Sequence, residues 1–158
     1  MIRKIKQSDK NVLEEMLNNI LSFTQDEVSV AMELINIAVT ITGQTDYNIF
    51  VYEDKNKILG YHCTGKRPLT DAVYDLYWIV VDVNYQGKGI GKKLLQHAEN
   101  FINEQKGRWL LIETSSKDNY KKTRNFYLKN DFKIISQIND FYNINNNLII
   151  YGKKFRNI

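Results

Sequence analysis

A glycine-rich loop between an apolar segment and an amphipathic segment constrains the fold more than any other feature of this sequence. The loop reads Gln-Gly-Lys-Gly-Ile-Gly-Lys over residues 86–92. Residues 73–83 before it are mostly valine, tyrosine, isoleucine and leucine, which predicts a long strand. The residues after it place apolar side chains on one face of a helix, namely Ile90, Leu94, Leu95, Ala98, Phe101 and Ile102.

The remaining patterns predict the element order β-α-α-β-β-β-α-β-α-β-β. Ser8 is the expected cap of the first helix, Thr24 and Glu27 form a capping box that opens the second, and Gly43 ends it. The other elements are strands at 2–6, 47–52, 58–64, 109–113, 132–138 and 148–155, a helix at 118–129 and a polar loop at 143–147.

An antiparallel first half followed by a β-α-β-α unit predicts a mixed α/β fold. We expect a central, mostly antiparallel sheet of about seven strands with about four helices on both faces. A chain of 158 residues without repeats or linkers is predicted to form one domain over residues 1–158.

Composition narrows the function. A net charge of +4 is too small to indicate nucleic-acid binding and favours a local site for a phosphorylated cofactor. The single cysteine, Cys63, excludes a disulfide within the chain and is expected to be a small buried hydrophobe. We find no signal-peptide pattern and no apolar run of the about 18 residues that a transmembrane helix needs. These features predict a cytoplasmic protein without a membrane or nucleic-acid partner.

The glycine loop itself predicts an anion site. Gly87, Gly89 and Gly91 stand at alternate positions, where the backbone can approach a ligand closely and point its amides inward. The helix that follows adds unpaired amide groups and the positive end of its dipole. Such a site suits phosphate.

Two common nucleotide motifs do not fit this loop. A Walker A loop ending at Gly91-Lys92 requires glycine at position 86 and serine or threonine at position 93, which are Gln86 and Lys93. A dinucleotide fingerprint requires glycine at position 92 or 94, which are Lys92 and Leu94. A nucleotide-binding protein is therefore disfavoured.

The loop resembles the pyrophosphate loop of the GNAT superfamily, whose pattern is Gln/Arg-x-x-Gly-x-Gly/Ala. Gln86, Gly89 and Gly91 fill that pattern. The resemblance includes the apolar strand at 76–82 and the helix after the loop. Val83 stands where family members often have proline.

A second GNAT-like signature follows. Asn119 and then Phe126-Tyr127, with Phe132 five residues after the tyrosine, resemble the family's Asn and Phe/Leu-Tyr-x-x-x-Gly-Phe segment. Asp131 replaces the usual glycine, and aspartate tolerates the positive φ of such a turn. In all, the resemblance covers about residues 75–155, and only the order of elements matches before that.

The resemblance implies transfer of an acetyl group from acetyl-CoA to an amine. Backbone groups of residues 79–81 would pair with the pantetheine arm, and amides of residues 87–92 would bind the pyrophosphate. The nearby lysines either contact the cofactor or are solvated cations, and Phe126 belongs to the core or covers the cofactor arm. The predicted acetyl-CoA residues are Ile79, Val80, Val81, Gln86, Gly87, Lys88, Gly89, Ile90, Gly91, Lys92, Asn119 and Phe126.

The resemblance also implies the catalytic groups. Tyr127 stands at the general-acid position, although a packing role is the alternative. Glu113 is the favoured base, Asp75 acting through water is the second candidate, and a water chain without a single base is the third. His62 and His97 receive no role, and the histidines and Cys63 lack metal-ligand spacing, so no metal is predicted.

The leading hypothesis is therefore an N-acetyltransferase. A non-catalytic acyl-CoA-binding or regulatory module on the same fold is the alternative, and the intact loop together with Tyr127 favours the enzyme. The acceptor is open among polyamine, amino acid, antibiotic and protein N-terminus. Similarity of the last third to ribosomal-protein N-terminal acetyltransferases favours a peptide, and a homodimer is compatible with the family.

Overall fold

The computed structural model describes residues 1–155. Its strands are β1 (Ile2–Lys4), β2 (Asn48–Asp54), β3 (Lys57–Lys66), β4 (Val73–Val81), β5 (Trp109–Ser115), β6 (Lys133–Asn143) and β7 (Asn146–Lys154). Its helices are α1 (Lys10–Asn18), α2 (Gln25–Thr40), α3 (Ile90–Glu104) and α4 (Lys121–Lys129). Short 3-10 turns precede α1, α3 and α4. The predicted order of elements is confirmed.

The chain forms two compact units, and the first comprises Met1–Gly65 and Tyr77–Phe101. In it, β1 pairs antiparallel with β2, and β2 pairs antiparallel with β3. The inner faces of α1 and α2 pack on this sheet through a buried apolar cluster that includes Leu13, Leu17 and Ile35. Because eight consecutive residues of β3 are buried, this strand is covered on both of its faces.

The second unit comprises Lys66–Leu76 and the described residues from Ile102 onward. The first half of β4 pairs in parallel with β5, with Asp75 opposite Leu111. Antiparallel pairing joins β5 to β7 and β7 to β6. In contrast to its buried neighbour β7, β6 is exposed along its whole length.

Strand β4 contributes residues to both units, and the sheet order is β1-β2-β3-β4-β5-β7-β6. The parallel pairing of β4 with β5, together with antiparallel pairs such as β1 with β2 and β5 with β7, makes this seven-stranded sheet mixed, as predicted. Within residues 1–155, no helix is long and apolar enough to cross a membrane.

The helix termini confirm one sequence signal and correct another. Thr24 caps α2 by accepting a hydrogen bond from the amide of Glu27, whose carboxylate accepts one from the amide of Thr24. The predicted Ser8 cap of the first helix is wrong. A 3-10 turn at Gln7–Asp9 places Asp9 directly before α1, and the Asp9 side chain makes no cap bond to the helix. It accepts a hydrogen bond from the amide of Lys6 within the 3-10 turn.

The turns near the end of the chain show the same mixture. Asp131 has a φ of 68°, which confirms that an aspartate can adopt the turn conformation usually given to glycine. The polar loop predicted at 143–147 is wrong in extent. It is a tight hairpin in which Asn145 has a φ of 61°, so the polar residues on either side of the turn belong to β6 and β7.

Candidate active site

The glycine loop of the first unit adopts the conformation that its sequence requires. Gly87 and Gly89 have φ values of 76° and 79°, a region that other residues rarely occupy. An added Cβ at either position would meet no atom within 4 Å, so the space beside the loop is open. The first helical bond of α3 joins the amide of Lys93 to the carbonyl of Gly89. The preceding amides, 90–92, thus have no acceptor within the helix.

The chain before the loop is held by short-range hydrogen bonds. Asp82 accepts a hydrogen bond from the amide of Asn84, which begins a 3-10 turn. The Gln86 side chain donates to the carbonyl of Val81 at 3.3 Å. These hydrogen bonds stabilise the backbone conformation between β4 and the loop, and the Gln86 side chain contributes one of them.

Lysines near the loop are engaged locally. Lys88 donates to the carbonyl of Asn84 at 3.3 Å, and its Nζ lies 4.7 Å from the ring centre of Tyr85. Lys57 contacts the same ring at 4.8 Å. Lys57 and Lys88 therefore place positive charge in the same unit as the loop. Lys92, in the first turn of α3, is exposed to solvent. Direct contact of Lys88 and Lys92 with a cofactor remains a prediction.

The second half of β4 is anchored to β3. Val80 is buried, and its neighbours Ile79 and Val81 pack beside a cluster that contains Ile90 at the start of α3. A Cβ added at Gly60 of β3 would lie 2.5 Å from the carbonyl oxygen of Val80. The backbones of β3 and β4 therefore approach each other closely near the end of β4, just before the glycine loop.

In the second unit, Asp75 and Glu113 converge on one guanidinium, that of Arg67. Arg67 Nε donates to both oxygens of Asp75 at 3.1 Å, and its Nη2 donates to Asp75 Oδ1 at 2.7 Å. The same Nη2 donates to Glu113 Oε1 at 3.0 Å. The structure thus brings together the two carboxylates that the sequence offered as alternative bases.

These carboxylates have different surroundings. The side chain of Asp75 is 11% exposed and that of Glu113 is 44% exposed. Burial raises the pKa of Asp75, and the hydrogen bonds from Arg67 offset only part of that rise. Asp75 is therefore an enclosed, fully engaged group, whereas Glu113 presents much of its surface to solvent.

Arg67 is a residue that the sequence reasoning missed. It follows the end of β3 in a loop without any recognised motif, and its partners lie 8 and 46 positions further along the chain. No local pattern marks such a residue. Only the parallel pairing of β4 with β5, which places Asp75 opposite Leu111, brings its two partners close together.

Tyr127 is a buried residue of α4, with 5% of its surface exposed. Its ring centre lies 5.8 Å from that of Tyr151 and 6.0 Å from that of Phe132. Burial raises the pKa of Tyr127, so its hydroxyl is neutral at physiological pH. The aromatic contacts support the packing role, and the neutral hydroxyl is compatible with proton donation.

The other two predicted residues of this unit lie at α4. Asn119 is exposed in the 3-10 turn Asp118–Tyr120, which leads into the helix. Phe126 lines a surface groove of about 590 Å³ with Asp118, Lys121, Lys122, Asn125 and Lys129. Phe126 is therefore only partly buried. Its contact with acetyl-CoA stays a prediction.

The residues without an assigned role are accounted for by packing. Cys63 is fully buried and burial raises the pKa of its thiol, which confirms a small buried hydrophobe. His62 is also buried and contacts His97, with 2.9 Å between Nε2 and Nδ1. Within the described part of the chain, no group of three His, Cys, Asp or Glu side chains could hold a metal ion.

A comparison with family models places this architecture. The model of the acetyltransferase (GNAT) domain matches residues 45–134, which is more than half of the chain. The chain belongs to the GNAT family of N-acetyltransferases. This match includes the glycine loop, Glu113 and Tyr127, and it confirms the family predicted from the sequence.

Solved structures share the fold over nearly the whole chain. A protein from Desulfovibrio desulfuricans described as an acetyltransferase of the GNAT family is 29% identical, covers 98% of both chains and has a TM-score of 0.94. The ribosomal-protein-S18-alanine N-acetyltransferase from Escherichia coli is 16% identical, with coverage of 98% and 92% and a TM-score of 0.78.

An aminoglycoside 6'-N-acetyltransferase complexed with coenzyme A is 15% identical to the chain. Its alignment covers 98% of this chain and 96% of the other, with a TM-score of 0.71. No curated protein matches the chain. At these identities the last two structures establish the fold alone.

Proposed function

We propose that this protein transfers an acetyl group from acetyl-CoA to a primary amine. The observation that carries the proposal is the glycine loop, in which Gly87 and Gly89 adopt positive φ and leave open space before α3. The residues present fit a pyrophosphate group, because amides, an open cradle and a helix N-terminus are the donor set that phosphate prefers. When bound, acetyl-CoA would supply the acetyl group, and CoA would be the leaving group as a thiolate.

The chain's own contribution to binding is mostly backbone. Amides of residues 87–92 would donate to the pyrophosphate, and the backbone of residues 79–81 would pair with the pantetheine arm as an added strand. Support for the second role comes from strand pairing, since the parallel register between β4 and β5 includes only Val73, Tyr74 and Asp75 of β4. Residues 79–81 lie beyond that register.

The acceptor must lose a proton before it attacks, because an alkyl amine has a pKa of about 10.4. Glu113 is the favoured base. It is 44% exposed and accepts one bond from Arg67, so an acceptor can reach it. Asp75 is enclosed and accepts three bonds from the same guanidinium, which makes direct proton transfer to its carboxylate a poorer alternative.

Tyr127 is the proposed proton donor to the departing thiolate. Only a neutral hydroxyl can donate a proton. Burial raises the pKa of Tyr127, so its hydroxyl is protonated at physiological pH. The alternative function, a non-catalytic acyl-CoA-binding module, requires the loop and not this hydroxyl. Activity of the wild type separates the two functions, and a Tyr127→Phe variant tests only whether this hydroxyl takes part in catalysis.

The acceptor class and the setting are part of the proposal. According to their names, two structural neighbours act on an alanine of ribosomal protein S18 and on an aminoglycoside. We therefore propose a small-molecule or peptide amine. We further propose a cytoplasmic location, supported by a single buried cysteine, and a homodimer, which light scattering of the purified chain tests.

The first experiment is calorimetric titration with acetyl-CoA, with ATP and NAD as controls. We expect selective binding of acetyl-CoA in the micromolar range. Gly89→Glu should abolish it, because a carboxylate would occupy the phosphate cradle. Gly43→Glu is the matched control, since Gly43 also has a positive φ of 80° and open space beside it.

Equal acetyl-CoA affinity of wild type and Gly89→Glu would refute the assignment of the loop. If acetyl-CoA binds, thiol release is measured with an amine panel of spermidine, kanamycin and a peptide that begins with alanine. Binding without thiol release from any amine would favour the non-catalytic module.

A further inference from the structure

Arg67 occupies a defined position because its backbone is fastened on both sides. Its amide donates to the carbonyl of Val73 at 2.8 Å, and its carbonyl accepts a bond from the Thr70 hydroxyl at 2.7 Å. The amide of Val73 in turn donates to the Thr70 hydroxyl at 3.3 Å. The loop between β3 and β4 is thus closed upon itself, and the guanidinium extends from a fixed point.

Two carboxylates share this guanidinium unequally. Asp75 takes Nε and part of Nη2 in a forked contact, the geometry in which arginine binds carboxylates best. Glu113 takes a single bond from Nη2 to its Oε1. Asp75 thereby anchors Arg67, and Arg67 in turn holds one oxygen of Glu113, so that the second oxygen, Oε2, is available to an acceptor.

The charges of the cluster also match an amine substrate. One guanidinium between two ionised carboxylates leaves a net negative charge. Glu113 and Arg67 are 44% and 38% exposed, so this charge is accessible at the surface. An acceptor that arrives as an ammonium cation is attracted to it, whereas an isolated arginine at this position would repel the same cation.

We propose that Arg67, anchored by Asp75, is the positioning residue that orients Glu113 toward the acceptor amine. This inference rests on the proposed function, because it assumes that Glu113 accepts the proton of the acceptor ammonium. That proton moves from the acceptor nitrogen to Oε2 of Glu113, and the nitrogen lone pair becomes available for attack. Asp75 has no proton-transfer role in this arrangement.

The test is a double-mutant cycle between Arg67 and Glu113, measured with the amine of the panel that wild type acetylates fastest. Arg67→Gln should lower kcat/KM for the amine by about 10-fold or more, while the Kd of acetyl-CoA stays within about twofold. In a Glu113→Gln background, Arg67→Gln should cost less than about threefold, because the group that it positions is already lost. Arg67→Lys should restore little, since lysine lacks the planar fork.

Two further variants keep the test interpretable. Arg67→Gln leaves Asp75 buried without its cation, so Arg67→Gln combined with Asp75→Asn removes the uncompensated charge and should fold while remaining slow. Arg108→Gln is the matched control, because Arg108 pairs with Asp71 at 2.5 Å in the same unit. It should keep wild-type kcat/KM.

The outcomes distinguish this inference from the proposed function. An active wild type with independent effects of Arg67→Gln and Glu113→Gln would overturn the positioning role while leaving acetyl transfer intact. Wild-type kcat/KM in the Arg67→Gln, Asp75→Asn variant would do the same. A wild type that binds acetyl-CoA and acetylates no amine would overturn the proposed enzyme, and the inference with it.

Discussion

The contact between the buried His62 and the partly buried His97 predicts how the stability of the protein responds to acid. His62 on β3 is fully buried, its ring stacks on that of Phe50 at 5.3 Å, and its only titratable neighbour among the described residues that lowers its pKa is His97 on α3. Within the same described residues, Nδ1 of His62 has no hydrogen-bond partner. Burial first, and repulsion by His97 second, lower the pKa of His62 from 6.5 to about 3.

The direction in which stability changes with pH follows from the number of protons bound by the folded and unfolded states. Between pH 6.5 and 3 the unfolded chain binds a proton at His62 that the folded chain does not, so the free energy of unfolding falls as the pH falls. The contribution of His62 to the free energy of unfolding is fully present above pH 6.5 and is lost progressively as the pH falls toward 3. Each pH unit costs about 1.4 kcal/mol, so acidification from neutrality to pH 5 costs about 2 kcal/mol.

Urea unfolding at pH 7 and pH 5 measures this loss. Wild type should lose about 2 kcal/mol more than His62→Gln over this interval, because glutamine does not titrate. The interval avoids the ordinary carboxyl range near pH 4. His97→Gln serves as the companion variant, since it removes the second of the two histidines and identifies the NMR signal of His62.

An equal loss in wild type and His62→Gln would refute the reasoning. So would an NMR titration in which the ring of His62 protonates near pH 6.5 in the folded protein, since its folded and unfolded pKa values would then coincide. Either result would mean that the buried ring is stabilised as a cation or reaches water more easily than its burial implies.

Three further predictions follow from other parts of the molecule. Tyr127→Phe should lower kcat by about 100-fold without changing acetyl-CoA affinity, and a full-speed variant would remove Tyr127 from the mechanism. Thr24→Ala should lower the free energy of unfolding by about 1 kcal/mol in urea titrations, because the capping bond to Glu27 is lost. Gly60→Ala should cost about 1–3 kcal/mol in the same assay, because its Cβ would lie 2.5 Å from a backbone oxygen, and wild-type stability would show that β3 and β4 can separate freely.

Features set by neighbouring residues were predicted well from the sequence. The capping box of Thr24 and Glu27 requires only a spacing of three residues, and the positive φ of Asp131 requires only a short turn residue in a tight connection. The order of strands and helices follows from hydrophobic periodicity in the same way. The cap of the first helix was predicted wrongly because a 3-10 turn precedes α1 and places Asp9, and not Ser8, at its N-cap position.

Strand lengths were predicted less well, since pairing decides them. The polar residues at 143–147 indicate a loop, yet the hairpin between β6 and β7 draws most of them into strands. Similarly, β3 contains histidine, threonine and tyrosine, which do not indicate a strand buried along its length. Burial on both faces comes from neighbouring elements that the sequence of β3 does not specify.

The glycine loop could be predicted because its function resides in the backbone. Glycine residues in a loop indicate the positions at which a positive φ is needed, and Gly87 and Gly89 both adopt a positive φ. The group formed by Arg67, Asp75 and Glu113 could not be predicted in this way, because its function depends on side chains that are distant in the sequence. It depends on side chains from positions 67, 75 and 113, which the register of β4 with β5 brings together.

The shared guanidinium means that Asp75 and Glu113 are not independent candidates for the base. Asp75→Asn would loosen Arg67 and so release Glu113, which would lower activity even if no proton ever reaches Asp75. Loss of activity in Asp75→Asn therefore does not identify a base. The Glu113→Gln background resolves the question, because there Asp75→Asn should cause little further loss if Asp75 acts only through Arg67. A large further loss would instead assign the proton to Asp75.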